Sequence, residues 1–93
     1  MDYDVLYLMA DSLDNYKKYR RYIKDHTIYP ETKLILDVIQ DYYDSFPGTK
    51  VNWDAVSSLM FSKHAARIGK FTSSIRDILL YMKTFSPSVA YTE

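Results

Sequence analysis

Residues 29–61 read YPETKLILDVIQDYYDSFPGTKVNWDAVSSLMF, and they indicate a helical fold because they encode two amphipathic helices separated by a turn. Pro30 is favoured at the first helical position, where its missing N–H costs no hydrogen bond, and Glu31 suits the positive end of the helix dipole. Apolar residues then recur at helical spacing, at Leu34, Ile35, Val38, Ile39, Tyr42 and Phe46. Pro47 and Gly48 end this helix.

The segments on either side also predict helices. Asn52 is placed to cap a helix. The apolar face of that helix is Trp53, Val56, Leu59 and Met60. Upstream, residues 3–10 predict a short first helix, and residues 11–14 (DSLD) offer side chains that end it and start another. The second helix would carry Tyr16, Tyr19, Tyr22 and Ile23 on one buried face, and a single bent helix is the competing interpretation.

The last third of the chain predicts one more helix after a break near Gly69. An apolar seam with alternating steps of three and four marks its packing face: Ile68, Phe71, Ile75, Ile78, Met82 and Phe85. Ser86 and Pro87 end this helix. We therefore predict an all-α fold, a compact bundle of four to five short helices, with a head at residues 1–86 and a tail or linker at residues 87–93.

Length and composition restrict the function classes. At 93 residues the chain forms one domain, and its ten tyrosines suit half-buried positions on a thin core or at an interface. Twelve basic and twelve acidic residues leave no global basic excess for nucleic-acid binding, although a local patch is allowed. No cysteine is present for a thiolate metal site, and no apolar run approaches a membrane span. We expect a cytoplasmic protein with no membrane partner.

The sequence offers no motif for chemistry, so we predict no catalytic, cofactor-binding or metal-ligating residue. Gly69-Lys70 matches only part of a phosphate-binding loop, since His64 stands at the first glycine position and Phe71 at the Ser/Thr position. His26 and His64 lie in different segments, and each is more often structural or solvated than a ligand. An acidic stripe of Asp37, Asp41 and Asp44 is interpreted as solvated rather than catalytic.

Two basic groups are candidates for binding. Lys63, Arg67 and Lys70 are spaced to pair with the acidic stripe between subunits or with a partner, if the helix is continuous there. The segment KKYRRYIK interleaves cations and aromatic residues as single-strand binding grooves do. We define its basic patch as Lys17, Lys18, Arg21 and Lys24. The favoured interpretation of this patch is the solvated face of an amphipathic helix, and the alternative is a nucleic-acid contact.

Taken in order, three segments resemble the N-terminal head of hexameric DnaB-type replicative DNA helicases, particularly those of bacteriophages. They are VLYLMADSLDN at residues 5–15, YPETKLILDVIQDYYDSF at residues 29–46, and VNWD at residues 51–54 with the helix that follows. The resemblance covers about two thirds of the chain and rests on the order of the elements and their apolar spacing. It is weaker in the last helix.

The resemblance implies a non-catalytic assembly and partner-binding (collar) domain, with ATP, Mg²⁺ and hydrolase activity belonging to a motor elsewhere in a parent helicase. The implied partners are other helicase subunits, a primase or helicase loader, and single-stranded DNA, in the cytoplasm of the host cell if the protein is from a phage. The apolar seam is then expected to form an inter-subunit or hairpin surface, and the basic patch to face a partner or DNA. The alternative is a stand-alone small helical protein that binds nucleic acid or regulates a host protein.

Overall fold

The computed structural model describes residues 2–84, which form an all-α bundle with no strand in that range. The predicted fold class is confirmed. The helices are α1 (Tyr3–Asp11), α2 (Leu13–Tyr19), α3 (Pro30–Ser45), α4 (Trp53–Ser62), the single-turn α5 (Ala65–Ile68) and α6 (Thr72–Thr84). Short 3₁₀ turns cover Arg20–Tyr22, Asp25–Thr27 and Gly69–Phe71. The predicted tail at residues 87–93 lies outside the described residues.

Local chemistry fixes three helix boundaries as the sequence predicts. The Ser12 hydroxyl accepts a hydrogen bond from the Asn15 backbone N–H (3.1 Å), so α1 and α2 are two helices rather than one bent helix. The carboxamide oxygen of Asn52 accepts hydrogen bonds from the backbone N–H groups of Asp54 and Ala55 in the first turn of α4. Gly69 has a φ of +39°, a value that residues with a side chain rarely adopt, and the helix is interrupted there, between α5 and α6.

The buried surface of the central helix α3 is wider than the apolar face that the sequence predicts. Leu36 and Tyr43 are almost fully buried, although neither belongs to the apolar positions identified in the sequence, whereas Phe46 is exposed. The physical reason is that α3 contacts α1 on one side and α4, α5 and α6 on others, so its core-facing surface exceeds a single stripe.

Buried tyrosine hydroxyls join the N-terminal helices to α3. Tyr43 donates a hydrogen bond to the carbonyl of Met9 (2.7 Å), and Tyr16 donates one to the carbonyl of Leu36 (3.2 Å). Their two rings meet edge to face, with centroids 5.9 Å apart. The tyrosines therefore fill the thin core while their hydroxyls bind backbone carbonyls, that of Met9 near the end of α1 and that of Leu36 inside α3.

The apolar seam lies in the core of this chain. Four of its six residues are buried, namely Ile68, Ile75, Ile78 and Met82. Phe71 packs against the core while half-buried, and Phe85 lies outside the described residues. This placement corrects the expectation of an inter-subunit surface for the buried four, because α6 uses this face to pack on α3 and α4 within the same chain.

Candidate binding surfaces

The basic patch lies where α2 ends and the chain turns away from the bundle. Lys17, Lys18, Arg21 and Lys24 are all exposed. Tyr22 was predicted to face the core, but 68% of the surface of this residue is exposed to solvent. The difference has a structural cause, since the α-helix ends at Tyr19 and residues 20–22 form a 3₁₀ turn that leads to extended backbone at Ile23.

Cations and aromatic rings of this segment lie against one another. The Arg21 guanidinium is 5.0 Å from the centroid of the exposed Tyr22 ring, and the Lys18 ammonium is 5.2 Å from that of Tyr19. Arg20 has a different role, because it donates hydrogen bonds to the Ile23 carbonyl (2.9 Å) and to Asp25 (3.1 Å). Arg20 therefore holds the turn, and Arg21 with Tyr22 faces solvent.

The described cations divide into paired and unpaired sets. Six of the twelve form ion pairs with carboxylates inside the chain, namely Arg20, Lys33, Lys50, Lys63, Arg67 and Lys83. Lys70 and Arg76 have no such pair in residues 2–84 and lie over the rings of Phe71 and Phe61. The remaining four cations without a carboxylate partner are those of the basic patch. A net charge of zero thus conceals one locally positive segment.

Two carboxylates of the acidic stripe, Asp37 and Asp41, pair with cations of the same chain. Asp37 accepts hydrogen bonds from Lys33 (2.8 Å) and Arg67 (2.7 Å), and Lys63 lies 3.5 Å from Asp41. The expectation that these charges pair between subunits or remain solvated is therefore wrong for Asp37 and Asp41. The basic stripe is also discontinuous, because α4 ends at Ser62 and α5 begins at Ala65.

The pKa values of both carboxyls reflect this pairing. Burial alone would raise the pKa of Asp37, but the hydrogen bonds from Lys33 and Arg67 outweigh it and lower the pKa below its ordinary value. Burial opposes the same change at Asp41, where the hydrogen bond with His64 and the charge of Lys63 lower the pKa. Both carboxylates are stabilised in the charged form.

His64 connects α3 to the turn between α4 and α5. Its side chain is almost buried, with 9% of the residue surface exposed, and its Nε2 lies 2.6 Å from an Asp41 carboxylate oxygen. Its Nδ1 faces the Arg67 guanidinium at 3.4 Å. The arrangement makes His64 a structural link, whereas His26 is exposed in a 3₁₀ turn.

The Gly69-Lys70 pair does not fit a nucleotide. The Lys70 ammonium lies 5.3 Å from the centroid of the Phe71 ring, and the Thr72 hydroxyl donates to the Gly69 carbonyl. A phosphate-binding loop instead needs several successive backbone N–H groups directed at one point with the lysine and hydroxyl beside them. Within residues 2–84, no group of three or more His, Asp or Glu side chains is arranged to hold a metal ion.

The outer face of α6 carries an apolar surface that sequence reasoning missed. Four residues at i, i+3, i+4 and i+7 line a shallow groove of about 350 Å³, and we name Asp77, Leu80, Tyr81 and Thr84 the outer stripe. Leu80 is 62% exposed, and Tyr81 stacks on Tyr3 of α1 with ring centroids 4.2 Å apart. The sequence signal was the position of Leu80, which is two residues from both Ile78 and Met82 of the apolar seam and so points to the opposite side of the helix.

The described helices include none with the length and apolar character needed to cross a membrane. Comparisons of the sequence with known protein families and with curated proteins, and of the fold with solved structures, find no match.

Proposed function

We propose that this chain is a non-catalytic assembly and partner-binding domain, of the kind found at the N-terminal head of phage DnaB-type replicative helicases. The support from the sequence is the resemblance of residues 5–15, 29–46 and 51–61, which fall in α1 and the start of α2, in α3 and in α4. In this proposal ATP, Mg²⁺ and hydrolysis belong to a motor domain of a parent protein. The domain works in the cytoplasm and contacts other helicase subunits and a primase or helicase loader.

The observation that carries an assembly role is the exposed Leu80 at the centre of the outer stripe. The opposite face of α6 is already used, since Ile75, Ile78 and Met82 fill the core. α6 therefore has apolar side chains on two sides, and burial of a leucine contributes about 1.5–3 kcal/mol when a partner covers it. An exposed apolar surface rimmed by polar groups, here Asp77 and Thr84, is typical of a protein contact.

The proposed occupant of the outer stripe is a neighbouring copy of this chain, as expected of a collar that holds a ring of subunits together. The stripe is continuous across two helices, because Tyr3 of α1 stacks on Tyr81 of α6. Leu80 and Tyr81 lie three and four residues after Asp77 on the outer side of α6, a position that suits a helix-to-helix contact. Asp77 at the edge of the groove sets register more than affinity.

Sedimentation velocity of the chain over a range of protein concentrations tests this proposal. We expect reversible self-association of the parent chain, and loss of it in Leu80→Asp, because a charge at the centre of an apolar contact opposes burial. Phe46→Asp is the matched control: it places the same charge on another exposed apolar residue, at the opposite end of α3 from Tyr29 and the Asp2 carboxylate that accepts its N–H.

A parent chain that stays monomeric both alone and when extended by a downstream motor domain would overturn the assembly role. Equal loss of association in both variants would show that added charge, rather than the outer stripe, is responsible. Circular dichroism of Leu80→Asp confirms that the variant is folded before its mass is interpreted.

A further inference from the structure

We infer that the basic patch and the exposed Tyr22 form a binding site for single-stranded nucleic acid, with the backbone phosphates on the cations and one base on the tyrosine ring. The inference is independent of self-association, because the patch lies on α2 and the turn after it, whereas the outer stripe lies on α6.

The first argument is the absence of carboxylate partners. A cation that is already ion-paired must break that pair to bind a phosphate, whereas an unpaired cation exchanges only loosely held counterions. In the described chain, Lys17, Lys18, Arg21 and Lys24 are exposed and form no ion pair. Residues 13–24 contain five cations and a single carboxylate, Asp14. The adjoining Asp25 is already neutralised by Arg20 at 3.1 Å.

The second argument is the exposed aromatic ring among these cations. Tyr22 offers a largely free face, and Arg21 beside it adds a planar cation that stacks on bases as well as on aromatic rings. Tyr19 is half-buried and anchors the turn to the core, so Tyr22 is the stacking residue of the pair.

This combination favours single strands over other polyanions. A duplex presents phosphates but keeps its bases stacked inside, so Tyr22 would gain nothing from it. An acidic peptide satisfies the cations but offers no base plane for the ring. Single-stranded nucleic acid supplies phosphates and unstacked bases together, without need for sequence readout.

Fluorescence anisotropy with a labelled oligothymidylate of about 20 nucleotides at low salt is the test, a length that spans the site sizes of single-strand binders. We expect binding that weakens with salt, with a log–log slope near −3 if about four phosphates are contacted. Replacing Lys17, Lys18, Arg21 and Lys24 together by glutamine should abolish binding. Tyr22→Ala should weaken it about fivefold or more and leave the salt slope unchanged.

The matched control replaces four other exposed cations by glutamine, namely Lys50, Lys70, Arg76 and Lys83. It has the same net charge as the patch variant. Equal loss of binding in both variants would therefore overturn the inferred site and show that binding depends on net charge alone. Oligouridylate in place of oligothymidylate distinguishes RNA from DNA as the source of the strand. Equal affinity for polyglutamate or a duplex, with no effect of Tyr22→Ala, would also overturn the inference.

The outcome is separable from that of the assembly proposal. Leu80→Asp should bind the oligonucleotide as the parent does at protein concentrations where both are monomeric. The patch variant should associate as the parent does. Loss of binding in Leu80→Asp under these conditions would contradict an independent site at the patch.

Discussion

Two basic regions of this protein have opposite electrostatic environments. Lys63, just after α4, and Arg67 of α5 reach the carboxylates of α3. Lys17, Lys18 and Lys24, in and after α2, reach none in the described chain. Both regions place cations near aromatic and apolar residues, so their composition alone does not distinguish them. Whether a cation is paired depends on whether the element packed beside it carries a carboxylate.

The paired region depends on tertiary structure. Arg67 and Asp37 are separated by 30 residues in sequence, and His64 and Asp41 by 23. Helix α3 brings two carboxylates to one edge because Asp37 and Asp41 are four residues apart. The chain after α2 instead runs through two 3₁₀ turns, and its nearest carboxylate, Asp25, is used by Arg20. The paired cations therefore support the fold, and the unpaired ones are available to a ligand.

The largest expected effect on stability in this comparison is that of His64→Ala. The substitution removes an almost buried ring and its short hydrogen bond with Asp41, so we expect a loss of about 1.5–3 kcal/mol in the free energy of unfolding. Urea denaturation followed by circular dichroism measures this loss. His26→Ala is the control, because an exposed histidine should change stability by less than about 0.5 kcal/mol. Equal effects at both positions would show that His64 does not link the helices.

The next effect is a loss of stability in acid. The pKa values of Asp37 and Asp41 are lowered in the folded protein, so their pairing contributes stability above the ordinary carboxyl value of 3.8 and loses it as the pH falls through their folded pKa. Urea midpoints at about pH 7 and about pH 3 measure the difference, which also includes the other carboxyls.

Asp37→Asn isolates the contribution of one carboxyl to that acid effect. The variant should be less stable than the parent at neutral pH, because Lys33 and Arg67 lose their charged partner, and it should lose less on acidification. An unchanged difference between the two pH values would mean that Asp37 has the same pKa in the folded and unfolded states.

Much of the fold was predictable because helix ends depend on local chemistry. Pro30, Asn52 and Gly69 each act through their own backbone or side chain, and each marks a boundary in the structure. The width of the buried sector on α3 was not predictable in this way. Leu36 and Tyr43 are buried because further helices cover them, and a single amphipathic stripe does not report how many neighbours a helix has.

The candidate surfaces were predictable only in part. The basic patch follows from composition, but the exposure of Tyr22 depends on where α2 ends, which helical periodicity does not fix. The apolar seam was correctly identified as a packing face, yet sequence spacing does not tell whether the partner helix belongs to the same chain. For Leu80, its position opposite the seam indicates an outward face, but only the structure shows that no other described element covers it.

Loss of the four patch cations should change stability least. Replacing the four patch cations by glutamine should change the free energy of unfolding by less than about 0.5 kcal/mol, because no ion pair is lost. The substitutions also remove repulsion between like charges at the end of α2, so we expect a small gain in stability rather than a loss.

The control variant at Lys50, Lys70, Arg76 and Lys83 removes the same charge but loses two ion pairs, with Asp11 and Asp54. Each exposed pair contributes up to about 1 kcal/mol, so this variant should be the less stable of the two in urea denaturation at low salt. The difference should shrink as salt is added, since screening weakens exposed pairs. If the patch variant is instead the less stable of the two, the patch cations of the parent hold the turn after α2. Binding of a nucleic-acid strand by these cations would then destabilise the fold.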